Sequence, residues 1–381
     1  MSQKYLPFSP PRITPDAVSA VVDVLESGWL GTGPIAKQFE QEFALVGGFP
    51  AAAAVSSCTS GLFLGMKALG VQTGDEVITS CMTFVSTVNS ILHLGATPVL
   101  VDIDPVSGNL DLDAVQAAVT TRTKAVVPVH YAGYPVAMDR LMEIAIRHGL
   151  LVVEDCAHAV ETRWQGKPAG SWGDLGVFSF YATKNIAIGE GGMVVSRDSE
   201  LVERVSRLAL HGLSKGAWSR FSETGKRTYD VVEIGYKANF TDMQAAIGLS
   251  QLKQLDSNSS RRRQIWDFYN RELGNLPLEL PALPAEEDAV HALHLYVVRV
   301  GADTERDSLA ETLGKRYGVA FGVHYKAITQ FELYRETLGV AEDLFPTASD
   351  WGSRCMSLSL SAGMTDSHVE RVVDSLKGEL G

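Results

Sequence analysis

The chain has 381 residues, 45% of them hydrophobic and 20% charged, long enough to bury a large core and to build two domains. Thirty-three basic against 45 acidic residues give a formal net charge of -12, which argues against nucleic acid or an anionic membrane as a general partner and leaves room for one small anion in a locally basic pocket. Cys58, Cys81, Cys156 and Cys355 are far apart and show no CxxC spacing, so reduced thiols in a cytoplasmic protein are expected, and neither a metal site nor a disulfide framework.

The N-terminal stretch MSQKYLPFSPPRITP lacks the apolar core of a signal peptide. No run approaches the roughly 20 apolar residues that span a bilayer. Short apolar runs then alternate with helical patterns, as a mostly parallel sheet wrapped by helices requires. Residues 51–57, 75–80, 97–104, 125–131, 150–156, 176–181 and 192–196 read as strands. After the first, SGLFLGMKALG sets Leu62, Met66 and Leu69 at helical spacing and stops at Gly70. DAVQAAV, residues 113–119, reads as a second helix, and residues 201–212 as a third.

Residues 213–230 are polar and carry Lys215, Arg220, Lys226 and Arg227. A connection this long is either functional or simply solvated. TDMQAAIGLSQLKQL opens with Thr241 and Gln244 at capping-box spacing, and Ala245, Leu249 and Leu252 continue at helical period. A proline-marked stretch, residues 276–284, precedes a strand–helix–strand reading over 291–300, 307–318 and 319–325. The expected architecture is α/β: a large domain with a mostly parallel sheet over residues 1–250, including an N-terminal extension of residues 1–11, and a smaller C-terminal α/β domain over residues 251–381.

The chemistry centres on FSFYATKNIAIGEGG, residues 178–192, where a strand-like run leads to Lys184 with no acidic neighbour close in sequence, and a glycine turn follows. Desolvation at such a place lowers the pKa of an amine and suits a Schiff-base lysine. The cofactor served by such a lysine is pyridoxal phosphate, which needs an acid for its ring nitrogen, an anion cradle and a flat neighbour. Asp155 ends the apolar strand LLVVEDC and can pair with a protonated pyridine nitrogen; a structural Asp paired with an Arg is the alternative. Thr59 and Ser60 stand where a helix N-terminus favours phosphate, although Ser and Thr are common caps. Phe84 can stack on a ring or belong to the core. Ser179 can add a hydroxyl to the phosphate, and His158 can face the ring or be structural. Their order along one alternating β/α unit lifts these candidates above their separate alternatives, because ligands gather at the carboxyl ends of such strands.

SGWLGTGP, GDEVIT, TFVSTVNSILHLGATPVLVDID, RTKAVVPVHYAGYP, VVEDCAHA, GDLGVFSFYATKNIAIGEGGMV and GYKANFTDMQAAIGLSQL resemble, in order, the motifs of the DegT/StrS family of pyridoxal-phosphate-dependent nucleotide-sugar aminotransferases. The resemblance runs over roughly residues 10–335 and implies a fold-type I homodimer with active sites at the interface. It implies that Lys184 holds the cofactor as a Schiff base and then shuttles protons, and that Asp155 pairs with the ring nitrogen. Phe84 would stack on one face and His158 lie by the other face or the ring hydroxyl. Thr59, Ser60 and Ser179 would bind the phosphate. In GYKAN, Lys237 stands where many members have an Asn that reaches the neighbouring subunit, and Asn239 follows two residues later; either can reach the partner's phosphate.

The same resemblance implies transfer of an amino group from an amino acid, L-glutamate, to C-4 of a dTDP- or UDP-linked 4-keto-6-deoxyhexose, with C-3 amination as the alternative. Lys215, Arg220, Lys226 and Arg227 are candidates for the substrate diphosphate, and Trp29, Thr32, Tyr181 and His324 for the sugar end. No metal is expected. Relatives that are pyridoxamine-dependent dehydratases carry His at the lysine position, so Lys184 argues against that reaction. A non-catalytic, cofactor-binding regulatory protein is the reading from another class, and it would be expected to have lost Lys184 or Asp155.

Overall fold

The computed structural model describes residues 5–214 and 229–381. The seven apolar runs form seven strands of one sheet: β1 (Ala51–Val55), β2 (Glu76–Ser80), β3 (Thr97–Val101), β4 (Thr123–Val127), β5 (Leu151–Asp155), β8 (Leu175–Ser179) and β9 (Gly192–Ser196). A small hairpin, β6 (Arg163–Trp164) and β7 (Lys167–Pro168), separates β5 from β8. The order is β1-β9-β8-β5-β4-β2-β3. β9 runs antiparallel to both neighbours, and the remaining pairs are parallel. Every residue of β2, β8 and β9 is buried, which is why these strands read as near-continuous apolar runs rather than alternating ones.

Helices α1 (Pro15–Ser27) and α2 (Pro34–Gly47) precede the sheet. Within it, α3 (Cys58–Ala68), α4 (Val85–Leu92), α5 (Leu112–Ala118) and α6 (Met138–His148) connect strands, and α7 (Ser199–Ala209), α8 (Asp242–Lys253) and α9 (Leu255–Leu273) follow. The pleat divides the core. Leu175 and Val177 of β8 and Val194 of β9 pack on one face with Leu62 and Met66 of α3 and Val205 of α7. Phe178, Met193 and Val195 pack on the other with Phe39, Phe43 and Phe240. A Cβ on Gly61 would sit 2.5 Å from Val177 Cγ1, and one on Gly192 would sit 2.7 Å from the Cys58 nitrogen. These two glycines let α3 lie directly on the sheet, with its first turn against the start of β9.

A second sheet, β10 (Leu278–Glu279), β11 (Tyr296–Val300) and β12 (Cys355–Leu358), is antiparallel throughout. Its core joins Trp266 and Tyr269 of α9 to Tyr296, Met356, Leu313 of α10 (Arg306–Tyr317) and Val372 of α13 (Asp366–Leu380). α11 (Glu332–Leu338) and α12 (Pro346–Arg354) lie between, and a further apolar cluster joins Tyr334 and Trp351 to Met82, Val88 and Tyr131 beside the large sheet. The strand expected over 319–325 does not form. Val319 bridges to Leu6 and Gly322 to Ser357, so no continuous ladder can run along it. β12 supplies the strand instead. Thr241 and Gln244 do form a capping box at the start of α8.

Candidate active site

A cleft of about 400 Å³ opens where β5 and β8 end and where α3 begins. Eight of the candidate residues line it: Thr59, Phe84, Asp155, His158, Ser179, Tyr181, Lys184 and His324. They reach the cleft from the ends of β5 and β8 and the loops after them, from the starts of α3 and α4, and from the segment at His324, because parallel strands deliver their following loops to one edge of the sheet.

After β8 ends at Ser179, the chain turns, and the Lys184 amide donates to the Tyr181 carbonyl at 2.9 Å. Lys184 is half-buried at the cleft floor, and its Nζ makes no hydrogen bond or ion pair among the described residues. Burial lowers its pKa from 10.5 to about 8, against the smaller opposing pull of Cys58 and Asp155. Such an amine is partly uncharged near neutral pH, as a nucleophilic lysine must be.

Asp155 ends β5 and is 4% exposed. Thr87 Oγ1 donates to its Oδ2 at 2.9 Å and the Ala157 amide to its Oδ1 at 3.1 Å. Burial still raises its pKa above the usual carboxylate range, while Thr87, Ala157 and Lys184 pull it down. The Cys58 thiol also donates to Oδ1 at 3.9 Å, and a nearly enclosed carboxylate whose donors are all neutral has room for a cationic one.

His158 is buried, with its ring centroid 4.5 Å from that of His294. The Ala132 amide donates to Nδ1 at 3.1 Å, and Nε2 lies 2.9 Å from the Tyr325 hydroxyl. Burial holds His158 and His294 well below their ordinary pKa, with the Lys184 charge acting in the same direction, so both rings are neutral. Phe84 is 53% exposed on the cleft wall, its ring centroid 5.6 Å from that of Tyr325.

Ser57 caps α3. Its Oγ accepts from the Ser60 amide at 3.1 Å, and Ser60 Oγ accepts from the Ser57 amide at 3.0 Å. Ser60 is therefore turned into the cap and does not line the cleft, whereas Thr59 does. The free amides of the first turn and the helix dipole make this end a place for an anion.

Trp29, Thr32 and Asn239 meet outside this cleft. Trp29 Nε1 donates to the Thr32 carbonyl at 3.1 Å, Asn239 Nδ2 to Thr32 Oγ1 at 2.6 Å, and Thr32 Oγ1 to the Phe240 carbonyl at 2.5 Å. Lys237 is exposed and pairs with Leu210 through a single bridge. Lys215, Arg220, Lys226 and Arg227 lie outside the described residues.

On the far side of β5, His130, Glu154 and Cys156 come together. The Glu154 oxygens already accept from the amides of Gly170, Trp172 and Gly173 and share a hydrogen bond with His130 Nε2, so their lone pairs serve the fold.

The residues present fit pyridoxal phosphate. The test is the unpartnered Lys184 amine beside a buried carboxylate that no ion pair neutralises among the described residues, with a helix N-terminus on the same cleft. Sequence reasoning missed Thr87 and Tyr325. Nothing in the chain links Thr87 to Asp155, which is 68 residues away. Tyr325 directly follows His324, and that adjacency was the available signal.

A model of the DegT/DnrJ/EryC1/StrS aminotransferase family matches residues 11–377. Over 377 residues the chain is 45% identical to the spore coat polysaccharide biosynthesis protein SpsC of Bacillus subtilis (strain 168), covering 98% of this chain and 96% of that one. Among solved structures it is similar to the PLP-form of the putative sugar aminotransferase Spr1654 from Streptococcus pneumoniae, with a TM-score of 0.91, 32% identity and 98% of each chain covered. It is also similar to Helicobacter pylori PseC, an aminotransferase involved in the biosynthesis of pseudoaminic acid, with a TM-score of 0.91, 30% identity and 99% of each chain covered.

Proposed function

The chain belongs to the DegT/DnrJ/EryC1/StrS aminotransferase family and is a pyridoxal-phosphate-dependent transaminase, and from this premise we propose that it aminates a nucleotide-linked keto sugar. The amino donor is L-glutamate and the acceptor a dTDP- or UDP-linked 4-keto-6-deoxyhexose, aminated at C-4. Similarity to a sugar aminotransferase and to a polysaccharide biosynthesis protein supports a sugar acceptor. The GYKAN variant of the family motif supports C-4. The observation that carries the reading is the unpartnered Lys184 amine, partly uncharged near neutral pH, sharing a cleft with buried Asp155.

In this reading the amides at the start of α3, with Thr59 and Ser179, hold the phosphate. Asp155 faces the ring nitrogen, and Phe84 and His158 flank the ring. When bound, pyridoxal phosphate supplies an electrophilic carbon for amines and a conjugated ring that takes up the electron pair left by a lost proton. Lys184 holds the cofactor through its Nζ in the resting enzyme. Freed from that bond, the same Nζ would take a proton from the donor's α-carbon and, in the second half of the reaction, would deliver one to the acceptor carbon that gains the amine. Asp155 keeps the ring nitrogen protonated. Neutral His158 adds no positive charge that would hold Lys184 too acidic.

Trp29, Thr32, Tyr181 and His324 serve the sugar end, and Lys215 and Arg220 the diphosphate. The working form is a homodimer in which Asn239 or Lys237 completes the neighbour's phosphate site. Support comes from exposed apolar side chains, Val232 at 59% and Ile234 at 86%, since exposed apolar surface favours a subunit interface. Four free, buried cysteines support a reducing, cytoplasmic setting.

The direct test incubates the enzyme with glutamate and a panel of 3-keto and 4-keto dTDP- and UDP-sugars, then reads the product by mass and the amine position by NMR. Amination at C-4 is expected. An amino product from a 3-keto sugar alone would overturn the regiochemistry, and bleaching by glutamate that no keto sugar restores would overturn the acceptor class.

A further inference from the structure

The cleft contains a hydrogen-bond chain whose direction is fixed from the backbone. The Ala132 amide can only donate, so the His158 Nδ1 it meets at 3.1 Å is the unprotonated nitrogen. A neutral imidazole then carries its proton on Nε2. Nε2–H must donate to the Tyr325 oxygen at 2.9 Å, and Tyr325 must accept. The phenol's own proton is left to point elsewhere, and it meets no acceptor among the described residues. The Tyr325 ring is held by Phe84, Tyr131 and His158, with centroids 5.6, 6.4 and 5.9 Å away. Its backbone is held beside it, because the Tyr131 hydroxyl donates to the His324 carbonyl. Tyr325 lines the same cleft as Lys184 and Asp155.

We propose that Tyr325 is a cofactor-binding residue that donates a hydrogen bond to the phenolic oxygen of the pyridoxal ring, its orientation set by Ala132 and His158. The phenolic oxygen fits the donor because it is anionic when the ring is joined to a lysine, and it lies on the ring carbon next to the one that bears the carbon joined to the lysine. Burial and the nearby Asp155 charge keep the phenol protonated and able to donate. His158 thus acts on this oxygen through Tyr325, as a positioning residue, and Tyr325 makes the contact.

A donor to an anionic oxygen stabilises the form in which that oxygen carries the most charge, which is the form without a proton on the lysine-linked nitrogen. The experiment titrates the visible absorbance band of the holoenzyme against pH in the parent and in Tyr325→Phe. The midpoint is expected to rise by about one pH unit, tenfold in proton affinity. In a second arm, 3-fluorotyrosine placed at 325 keeps the shape, strengthens the donor and should lower the midpoint. This arm answers the question even if Tyr325→Phe folds poorly. Unmoved midpoints in both proteins, with turnover reduced or not, would overturn the proposal. The proposal rests on Lys184 holding the cofactor. If that reading fails, borohydride fixes no chromophore on Lys184 in the parent; if only Tyr325 is misassigned, the chromophore is fixed there and the midpoints stay still.

Discussion

Lys184 and Asp155 line one cleft and shift each other's proton affinity, yet no ion pair joins them. An ion pair would raise the lysine pKa and satisfy the aspartate, removing both the free amine and the open carboxylate. Their separation leaves each available to a third group. Lys184→Ala is therefore expected to fold normally, to show no chromophore fixed by borohydride, and to lose at least about a thousandfold in turnover. Peptide mapping after reduction checks it. A reduced cofactor found on any other lysine would contradict the assignment.

The pKa of about 8 sets a pH dependence. Only the neutral amine attacks an aldehyde, and below the pKa its fraction falls tenfold per pH unit. Apoprotein should bind pyridoxal phosphate covalently at a rate that rises about tenfold per unit up to pH 8 and then levels. Stopped-flow absorbance would follow this. A rate still climbing at pH 10 would mean an ordinary lysine.

Asp155 makes a prediction of opposite sign for stability and for function. Its folded pKa lies above the unfolded one because burial outweighs the hydrogen bonds from Thr87 and Ala157 and the charges of Lys184 and His130. The ionised form thus costs stability, and the cost grows as pH rises through the unfolded value and is complete above the folded one. Asp155→Asn should raise the melting temperature of the apoprotein at pH 7. The same change should slow the holoenzyme by about a hundredfold or more, since an amide cannot keep a ring nitrogen protonated. Calorimetry of apoprotein and a coupled assay separate the two effects. An apoprotein that melts lower would show that Thr87 and Ala157 more than offset desolvation.

Asp242, 1% exposed at the start of α8, caps a different helix. Its carboxylate accepts from the amides of Gly33, Ile35 and Ala36 at 2.8, 3.2 and 2.9 Å, at the N-terminus of α2. Asp242→Ala leaves two buried amides and one part-buried amide without an acceptor and should cost about 2–4 kcal/mol. Asp242→Asn keeps a neutral acceptor and should cost less. Urea unfolding of both variants, with a larger loss for alanine, is the check.

Much of the sheet could be read from the chain because its strands are buried on both faces and so appear as apolar runs. Lys184 and Asp155 stood out because each follows or ends such a run without a partner nearby in sequence. What stayed hidden depended on which strands become neighbours. Thr87 reaches Asp155 only because β2 and β5 both flank β4. Ser60 was legible as a polar residue at a helix start, but its commitment to the Ser57 amide is a matter of rotamer. The apolar spacing of residues 319–325 suggested a strand, and spacing cannot reveal that Val319 and Gly322 pair with different neighbours.

The Asp242 cap carries one more consequence. It clamps the turn before α2 to a helix more than 200 residues downstream, and Thr32 adds a second clamp through the Phe240 carbonyl. The two hydrogen-bonded anchors tie these segments to each other. On the proposed role of Trp29 at the sugar end, a variant selected for a bulkier sugar is expected to gain room by trimming side chains there, because displacing the turn would first require breaking the anchor.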